Sequence, residues 1–149
     1  IARDKSIDDI VSGLIGMDYC GGFPPGFESC LTPKAQEIVQ ILDGFKNKSF
    51  ENGHWTKEIN TYFYVFAGFT VDAYEGRGIY RMLSNLAEKR AREKGFKYVI
   101  RETTNPRLVN AFIANGYQTL SKERLDEKAK FASKSEDGTR YWTQMKKPL

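Results

Sequence analysis

The sequence has few of the residues from which metal centres and disulfide frameworks are built. Its 149 residues include two cysteines, Cys20 and Cys30, and one histidine, His54. Two cysteines are too few for a disulfide framework, and they lack the second pair that a zinc site needs. A single histidine cannot form a ligand cluster, and we expect His54 to be a surface or loop residue. The sequence therefore predicts no bound metal.

Long apolar runs are also missing. No stretch approaches the ~20 apolar residues that span a bilayer, and no signal-peptide pattern opens the chain, so we expect a cytoplasmic protein without a membrane partner. With 40% hydrophobic and 28% charged residues, the composition is that of one globular domain over residues 1–149. The chain starts without a Met, and we expect its N-terminus to be incomplete.

The excess of positive charge is small. The formal net charge is +4 and the pI is about 9.0. Lys and Arg are spread along the chain instead of forming a dense run, so we predict that nucleic acid is not a partner. A polyanionic cofactor accounts equally well for this mild excess.

The most informative stretch runs from Val71 to Tyr80. It follows a charge-free, β-branched and aromatic segment, Thr61–Thr70, which predicts a strand buried on both faces. It precedes an apolar helix face formed by Ile79, Met82, Leu83, Leu86, Ala87 and Ala91. Because Gly76 and Gly78 lack a Cβ, the N–H groups between them can converge on an anion at a helix N-terminus. We interpret the turn as a pyrophosphate cradle, although a plain strand-to-helix connection is also compatible with it.

The rest of the chain gives a coarse pattern of strands and helices. Gly13 and Gly16 indicate bulges or close approach within the first strand, and Gly44 marks the expected end of the first helix. Two neighbouring strands joined by the helix after the cradle should be parallel. The predicted elements are a strand at Ile10–Met17, a helix from Thr32-Pro33, a polar connection over residues 46–59, a helix ending at Gly95, a strand over 96–101, a helix from Asn105-Pro106 and strands at 117–125 and 141–147.

Two motifs carry a family resemblance. Val71-x-Ala73-x-Glu75-Gly-Arg-Gly-Ile-Tyr80 resembles the acetyl-CoA loop of the GCN5-related N-acetyltransferases, V-x-P-x-[RQ]-x-x-G-x-[GA], with Glu75 and Tyr80 departing from it. About thirty residues later, the stretch 105–117 is similar to the family's N-x-x-A-x-x-L-Y-x-K-x-G-F. The resemblance implies an α/β acyl-CoA N-acyltransferase fold with a mixed central sheet flanked by helices, here expected to lack its first strand and helices.

The resemblance also implies an activity. The insertion between Met17 and Thr61 is most similar to that of the insect-type arylalkylamine N-acetyltransferases, which implies acetyl transfer from acetyl-CoA to a small primary amine. Within that insertion, the loop Cys20–Phe27 presents Phe23 and Phe27, which either plug the core or line an acceptor pocket. The alternative is a degenerate fold that binds acyl-CoA as a sensor or interaction module without catalysis.

The implied cosubstrate site lies on the cradle and the second motif. Backbone N–H groups near the end of the preceding strand would polarise the thioester carbonyl, the cradle would hold the pyrophosphate, and Asn105 would meet the pantetheine arm. The residues implied to bind acetyl-CoA are Phe69, Thr70, Val71, Glu75, Gly76, Arg77, Gly78, Ile79, Tyr80 and Asn105.

No catalytic acid or base is identified. Phe112 stands where the family has its general-acid tyrosine, and phenylalanine has no proton to give. The nearest hydroxyls are those of Thr103 and Thr104, which we interpret as strand-end residues. The acid, the base and the oligomeric state stay unassigned.

Overall fold

The structure of the chain is a computed structural model. It describes residues 1–18, 26, 29, 31–53, 56, 58–125 and 136–149. The predictions for Cys20, Cys30, Phe23, Phe27 and His54 fall outside the described residues.

Within the described residues, six strands form one mixed sheet in the order β1-β2-β3-β4-β6-β5, and β3 and β4 are its parallel pair. The predicted α/β class, with a mixed central sheet flanked by helices, is confirmed. The strands are β1 Ala2–Asp4, β2 Asp9–Asp18, β3 Tyr62–Thr70, β4 Tyr98–Thr103, β5 Gln118–Arg124 and β6 Tyr141–Pro148; the helices are α1 Pro33–Glu51, α2 Ile79–Glu93 and α3 Pro106–Ala114, with a short 3-10 helix at Asp72–Tyr74.

Helix α1 does not end at Gly44, as the sequence analysis expected. It continues to Glu51, so the first six residues of the predicted polar connection are helical. Gly44 is exposed and costs a helix only about 1 kcal/mol relative to alanine. The next residue, Phe45, stacks on Trp142 of β6 with ring centroids 5.1 Å apart. That tertiary contact outweighs the local helix-ending signal.

The glycines of β2 allow aromatic rings of β3 to approach its backbone. A Cβ on Gly13 would lie 2.6 Å from Cε1 of Phe69, and one on Gly16 would lie 2.1 Å from Cζ of Phe63. The register between β2 and β3 also shifts between Ile15 and Gly16. The predicted bulge and close approach are both confirmed.

Helices cover both faces of the sheet. Helix α3 packs Phe112 and Val109 into one core cluster, which also contains Val65 and Val99 and which Tyr80 of α2 contacts. On the other face Tyr62, Tyr64 and Ile100 form a second cluster. Helix α1 contacts Leu125 and Trp142 through Ile41 and Phe45. The core is therefore divided by the sheet into two layers.

Several predicted apolar faces differ from those in the structure. The end of β3 is exposed from Ala67 to Phe69, so this strand is not buried along its whole length. In α3, Leu108 and Ile113 are exposed beside the buried Phe112. In α2, Met82 and Leu86 are exposed, whereas the buried residues are Ser84, Glu88 and Ala91.

Candidate functional site

The parallel strands β3 and β4 separate at one end of the sheet. Their pairing runs from Tyr62 opposite Tyr98 to Val65 opposite Arg101, and it stops there. Strand β3 nevertheless continues to Thr70 on its β2 partner, and β4 continues to Thr103 on its β6 partner. The sheet therefore opens between β3 and β4, where the two strands no longer pair with each other.

A cleft of ≈ 300 Å³ fills this opening. It passes between the strands, so it has walls on both faces of the sheet. Such a site at the carboxyl ends of parallel strands is the usual place for a ligand in an open α/β sheet. The lining residues are Ile38 of α1, Tyr64–Gly68 of β3, Tyr80 of α2, Arg101–Thr104 at the end of β4, Leu108 and Phe112 of α3, and Trp142 of β6.

The cradle turn lies directly between β3 and α2. Its first half satisfies its own backbone: the N–H of Tyr74 donates to the carbonyl of Val71 (2.8 Å) and that of Glu75 to Asp72 (3.1 Å). Gly76 and Gly78 then have φ values of 71° and 74°, the left-handed region that favours glycine. The first helical bond joins the N–H of Met82 to the carbonyl of Gly78.

In the second half of the turn, the backbone N–H groups have no hydrogen-bond partner among the described residues. Within the described part of the chain, no hydrogen bond uses the N–H groups of residues 76–80. These groups lie at the N-terminus of the 15-residue helix α2, whose dipole favours negative charge there. A Cβ on Gly76 or Gly78 would meet no described atom within 4 Å, so the space beside the turn is open. This geometry fits a phosphate group.

Side chains hold the cradle turn in place. Nη2 of Arg77 donates to the carbonyl of Ala73 (2.9 Å), and its guanidinium lies 4.7 Å from the Tyr74 ring centroid. The Tyr74 hydroxyl donates to Asp4 on β1 (2.7 Å). Hydrogen bonds from Ser6 and Tyr74 lower the pKa of the Asp4 carboxyl to about 2. The hydrogen bond of Arg77 to Ala73 and that of Tyr74 to Asp4 therefore stabilise the turn in this conformation.

Asn105 caps helix α3 at the other side of the opening. Its Oδ1 accepts from the N–H of Arg107 (3.0 Å), and its own N–H donates to Oγ1 of Thr103 (3.1 Å). Pro106 then occupies the first helical position, as predicted. The cap fixes the end of β4 next to the cleft-lining Thr103 and Thr104.

At the end of β3, successive backbone N–H groups point alternately toward β2 and toward β4. The N–H of Val71 donates to Val11 on β2 (2.9 Å), and the carbonyl of Phe69 accepts from the Ser12 hydroxyl (2.6 Å). Because strand residues alternate, the N–H groups of Gly68 and Thr70 are directed to the β4 side. Of the predicted residues Phe69, Thr70 and Val71, only Thr70 thus directs its N–H toward the opening.

A buried polar cluster lies on the α2 face of the sheet, behind the cleft. Arg101, which is 1% exposed, donates through Nε to the Tyr117 hydroxyl (2.5 Å) and through Nη2 to Glu88 (3.2 Å) and Ser84. The Glu88 carboxylate also accepts from the Tyr117 hydroxyl (2.5 Å) and from Nζ of Lys147 (2.9 Å). The cluster reaches the cleft where Nη1 of Arg101 donates to the Tyr80 hydroxyl at 3.4 Å.

Charge and burial set the protonation of this cluster. Burial alone would raise the pKa of the Glu88 carboxyl, but hydrogen bonds from Tyr117 and Lys147 and the charge of Arg101 outweigh it, so the pKa is lowered. Burial also raises the pKa of the Tyr117 hydroxyl. Glu88 is therefore an anion paired with Arg101 and Lys147, while Tyr117 stays protonated.

Arg101, Glu88 and Glu102 are not among the site residues predicted from the sequence. Arg101 alternates with Ile100 at the end of the predicted strand, and alternation alone does not tell which of the two faces is buried. The α2 residues Ser84, Glu88 and Ala91 share one helical face, and this spacing was the available signal for the cluster. Glu102 lies two residues beyond Ile100, on the face that α1 covers, and lines the cleft.

A second cavity, of ≈ 450 Å³, lies between β2 and α2. Leu14, Met17, Phe63, Leu83 and Leu86 contribute apolar walls, so the predicted apolar face of α2 lines an open cavity. It contains none of the cradle residues. The smaller cleft is the better candidate site because it adjoins the cradle, the unpaired strand ends and Phe112.

The predicted site residues therefore lie around one opening. Nine of the ten implied acetyl-CoA-binding residues form the end of β3, the cradle and the start of α2, and Asn105 lies across the opening. Phe112, which is 8% exposed, faces inward and lines the cleft. Among the described residues, no group of three His, Cys, Asp or Glu could hold a metal ion, and no helix is long and apolar enough to cross a membrane.

Sequence comparisons do not identify relatives. No protein-family model matches this chain. A search of curated proteins also finds no match.

Solved structures match the fold closely. The C-terminal condensation domain of Ebony, solved with beta-alanyl-dopamine, superposes with a TM-score of 0.76 at 16% identity, over 99% of this chain and 70% of that one. Mosquito arylalkylamine N-acetyltransferase-like 5b superposes with a TM-score of 0.71 at 17% identity, over 99% and 72%. The Drosophila melanogaster polyamine N-acetyltransferase, which catalyses formation of N-acetylagmatine, gives 0.65 at 14% identity, over 95% and 71%.

These superpositions agree with the two sequence motifs. The element order also agrees with them, as does the mixed sheet that opens between its two parallel strands. The chain therefore has the fold of the GCN5-related N-acetyltransferases, including that of their insect-type members.

Proposed function

We propose that this protein is an N-acetyltransferase that transfers the acetyl group of acetyl-CoA to a small primary amine of the arylalkylamine type. The observation that carries the proposal is the cleft between β3 and β4. Its lining includes Tyr80 and Phe112 on one face of the sheet and Ile38 and Trp142 on the other, so a cosubstrate and an acceptor would meet it from opposite faces. Of the solved structures with this fold, one is named as an arylalkylamine N-acetyltransferase-like protein and another catalyses formation of N-acetylagmatine, which supports an amine acceptor.

The cradle suits the pyrophosphate of acetyl-CoA. The N–H groups of residues 76–80 would donate to phosphate oxygens, and the α2 dipole would add favourable charge. Asn105 keeps its side-chain NH2 group as a donor after its Oδ1 has capped α3. When bound, acetyl-CoA supplies the thioester whose acetyl group is transferred.

At the opening, the backbone of this chain would stabilise the negative charge that develops on the thioester carbonyl oxygen. The neutral amine nitrogen attacks the thioester carbonyl carbon and forms the C–N bond. The C–S bond breaks, and the proton that the nitrogen loses passes through water to the departing CoA thiolate. N–H groups of Gly68 and Thr70, which point to the β4 side, are placed to donate to the carbonyl oxygen as it gains negative charge. The cleft-lining Phe112 adds an apolar wall and no proton.

A second candidate function rests on Tyr80. Its ring packs against Gly68 between the cradle and the cleft, where the sequence motif of the family has Gly or Ala. A ring at this point narrows the route from the cradle to the strand ends. A protein that binds acyl-CoA as a sensor or interaction module, without transfer, is therefore the alternative.

Turnover and binding separate the two functions. Free thiol release from acetyl-CoA should be measured with 2-phenylethylamine, tyramine, agmatine and a histone-tail peptide as acceptors. Transfer predicts thiol release and an acetylated amine with at least one small amine. CoA binding by calorimetry without any thiol release would support the sensor function. Faster acetylation of the peptide than of every small amine would contradict the proposed acceptor class.

A further inference from the structure

We propose that the hydroxyl of Tyr80 is the general acid that gives a proton to the departing sulfur of CoA. This inference rests on the proposed function and deepens it, because it assigns a group that can do what Phe112 cannot. From the sequence, Tyr80 is predicted to bind the cosubstrate, but its side chain has no chemical role there.

The Tyr80 hydroxyl lies at the edge of the opening between β3 and β4. Tyr80 is half-buried in the first turn of α2 and lines the cleft. A Cβ on Gly68 would lie 3.0 Å from the hydroxyl oxygen, so the hydroxyl is next to the backbone of Gly68. The Gly68 N–H is placed to donate to the thioester carbonyl oxygen. Because the thioester sulfur is bonded to the same carbon as that oxygen, it would lie within reach of the Tyr80 hydroxyl.

The position of Phe112 leads to the same place. Its ring lines the cleft and lies 5.2 Å from the Arg101 guanidinium, to which the Tyr80 hydroxyl is also hydrogen-bonded. The family resemblance implies that a general-acid tyrosine belongs at the Phe112 position. The two side chains converge on one guanidinium from different helices, Tyr80 from α2 and Phe112 from α3. A hydroxyl that α3 lacks is therefore supplied by α2.

The hydrogen bond from Arg101 restricts the direction of the Tyr80 proton. Nη1 of Arg101 lies 3.4 Å from the Tyr80 oxygen, and a guanidinium can only donate, so the tyrosine oxygen accepts. The O–H bond of Tyr80 then points away from Arg101. Within the described part of the chain, no hydrogen bond uses this proton. It can be donated to a ligand in the cleft, and long hydrogen bonds at such sites often shorten when the ligand binds.

The charge behind Tyr80 favours donation of its proton. Arg101 is 1% exposed and is joined through the Glu88 carboxylate to Lys147, so the cluster has two cations and one anion. Tyr117, which also belongs to the cluster, stays protonated because burial raises the pKa of its hydroxyl. The net charge of the cluster is therefore positive. It would stabilise the phenolate that Tyr80 becomes when it gives up its proton.

The protons balance without a further group. The neutral amine forms the C–N bond, and the C–S bond breaks with its electron pair on sulfur. The O–H bond of Tyr80 breaks, its proton joins the sulfur as the CoA thiol, and Tyr80 becomes a phenolate. The proton that the nitrogen loses passes through water to this phenolate and restores the hydroxyl. Tyr80 is thus the last carrier in the water-mediated proton path, and the products are the amide and CoA.

Tyr80→Phe tests the hydroxyl while it keeps the ring that packs on Gly68. A single-turnover experiment, with protein in excess over acetyl-CoA, measures the chemical step separately from product release. The acceptor is the most active of 2-phenylethylamine, tyramine and agmatine. We expect the single-turnover rate to fall about tenfold or more. The affinity for acetyl-CoA should change less than about 2-fold, because a thioether-like sulfur is only a weak acceptor.

A binding experiment tests the contact with sulfur without turnover. Calorimetry at pH 9 compares CoA with desulfo-CoA, which lacks the sulfur. Most of the free CoA is then thiolate, since the reference pKa of a thiol is about 8.5. Tyr80→Phe should bind CoA about 5-fold or more weakly, because a hydrogen bond to a charged sulfur is lost, and desulfo-CoA within about 2-fold. Equal changes for the two ligands would overturn the inference.

Two further variants supply the controls. Tyr98→Phe removes a hydroxyl at the other end of β4, outside the cleft lining, and should leave the rate and both affinities unchanged. Phe112→Tyr should raise the rate by a larger factor in the Tyr80→Phe variant than in the unaltered protein, because the two hydroxyls would serve the same sulfur. Equal factors in the two backgrounds would contradict the role of Tyr80.

The outcomes separate this inference from the proposed function. Acetyl transfer with the same single-turnover rate in Tyr80→Phe and in the unaltered protein would overturn the acid role and leave the proposed function intact. CoA binding without thiol release by the unaltered protein would instead refute the proposed function, and the acid role with it.

Discussion

The ring of Tyr80 packs directly against the backbone of Gly68. A Cβ built on Gly68 would lie 2.3 Å from Cε2 of Tyr80 and 3.0 Å from its hydroxyl oxygen. This contact joins the first turn of α2 to the end of β3 beside the cleft, which both residues line.

Gly68→Ala should therefore destabilise the protein, although alanine is normally the better residue in a strand. Overpacking costs about 1–3 kcal/mol, and we expect a loss of this size in the free energy of unfolding. The double variant Gly68→Ala/Tyr80→Ala should lose less than the sum of the two single variants, because the second change removes the clash. Urea unfolding of all four proteins measures this coupling. Additive losses would show that the ring does not press on Gly68.

CoA binding should depend on the geometry at Gly78 and not on strain alone. Gly78→Asp puts a non-glycine residue at a left-handed φ of 74° and places a carboxylate in the cradle. Gly95→Asp imposes the same kind of backbone strain at a φ of 85°, but its carboxylate lies at the opposite end of α2. Both should lower the melting temperature. Only Gly78→Asp should weaken CoA binding, by about tenfold or more. Equal CoA affinities for the two variants in calorimetry would show that the cradle does not bind the cosubstrate.

Part of this architecture was predictable because its signals are local. The left-handed glycines of the cradle and the Asn105-Pro106 cap shape the backbone within a few residues of themselves. Both features lie inside the two sequence motifs, so they could be read from the sequence. The buried cluster is different: Arg101 meets Glu88 thirteen residues earlier and Tyr117 sixteen residues later.

Strand alternation gives two faces but does not tell which is buried. Here helices cover both faces of the sheet, so the residues on either side of β4 are shielded, and a charged residue is not a reliable sign of the solvent side. Glu102 escaped notice for the same reason. Its place beside the cleft depends on where pairing between β3 and β4 stops, which no local pattern encodes.

The anion at Glu88 should make stability depend on acid pH. Because its folded-state pKa is lowered, its contribution is present above the unfolded-state pKa of glutamate, about 4.3, and is lost as the pH falls through the folded-state value. Glu88→Gln leaves the buried Arg101 charge without this partner and should cost about 3 kcal/mol near pH 7. Denaturant unfolding from pH 7 to pH 3 should show the difference from the unaltered protein shrinking below about pH 4.

Glu93→Gln supplies the matched comparison on the same helix. Its ion pair with Lys89 spans 3.9 Å between exposed side chains, and such pairs contribute at most about 1 kcal/mol. It should leave the pH profile of stability nearly unchanged. A Glu88→Gln profile parallel to that of the unaltered protein would contradict the lowered pKa of Glu88.

Restoring a tyrosine at Phe112 should raise the rate of transfer. Phe112 lines the cleft and its ring lies 5.2 Å from the Arg101 guanidinium, so Phe112→Tyr adds a hydroxyl to the wall where the motif of the family has its acid. A well-placed general acid contributes on the order of 10²-fold or more, so kcat should rise and its alkaline limb should shift if protonation of the leaving thiolate limits the rate. Thiol release by both proteins should be followed from pH 6 to pH 10. A rate that is indifferent to the new hydroxyl would identify Phe112 as a packing residue, and no thiol release from either protein would favour the acyl-CoA-binding module over the enzyme.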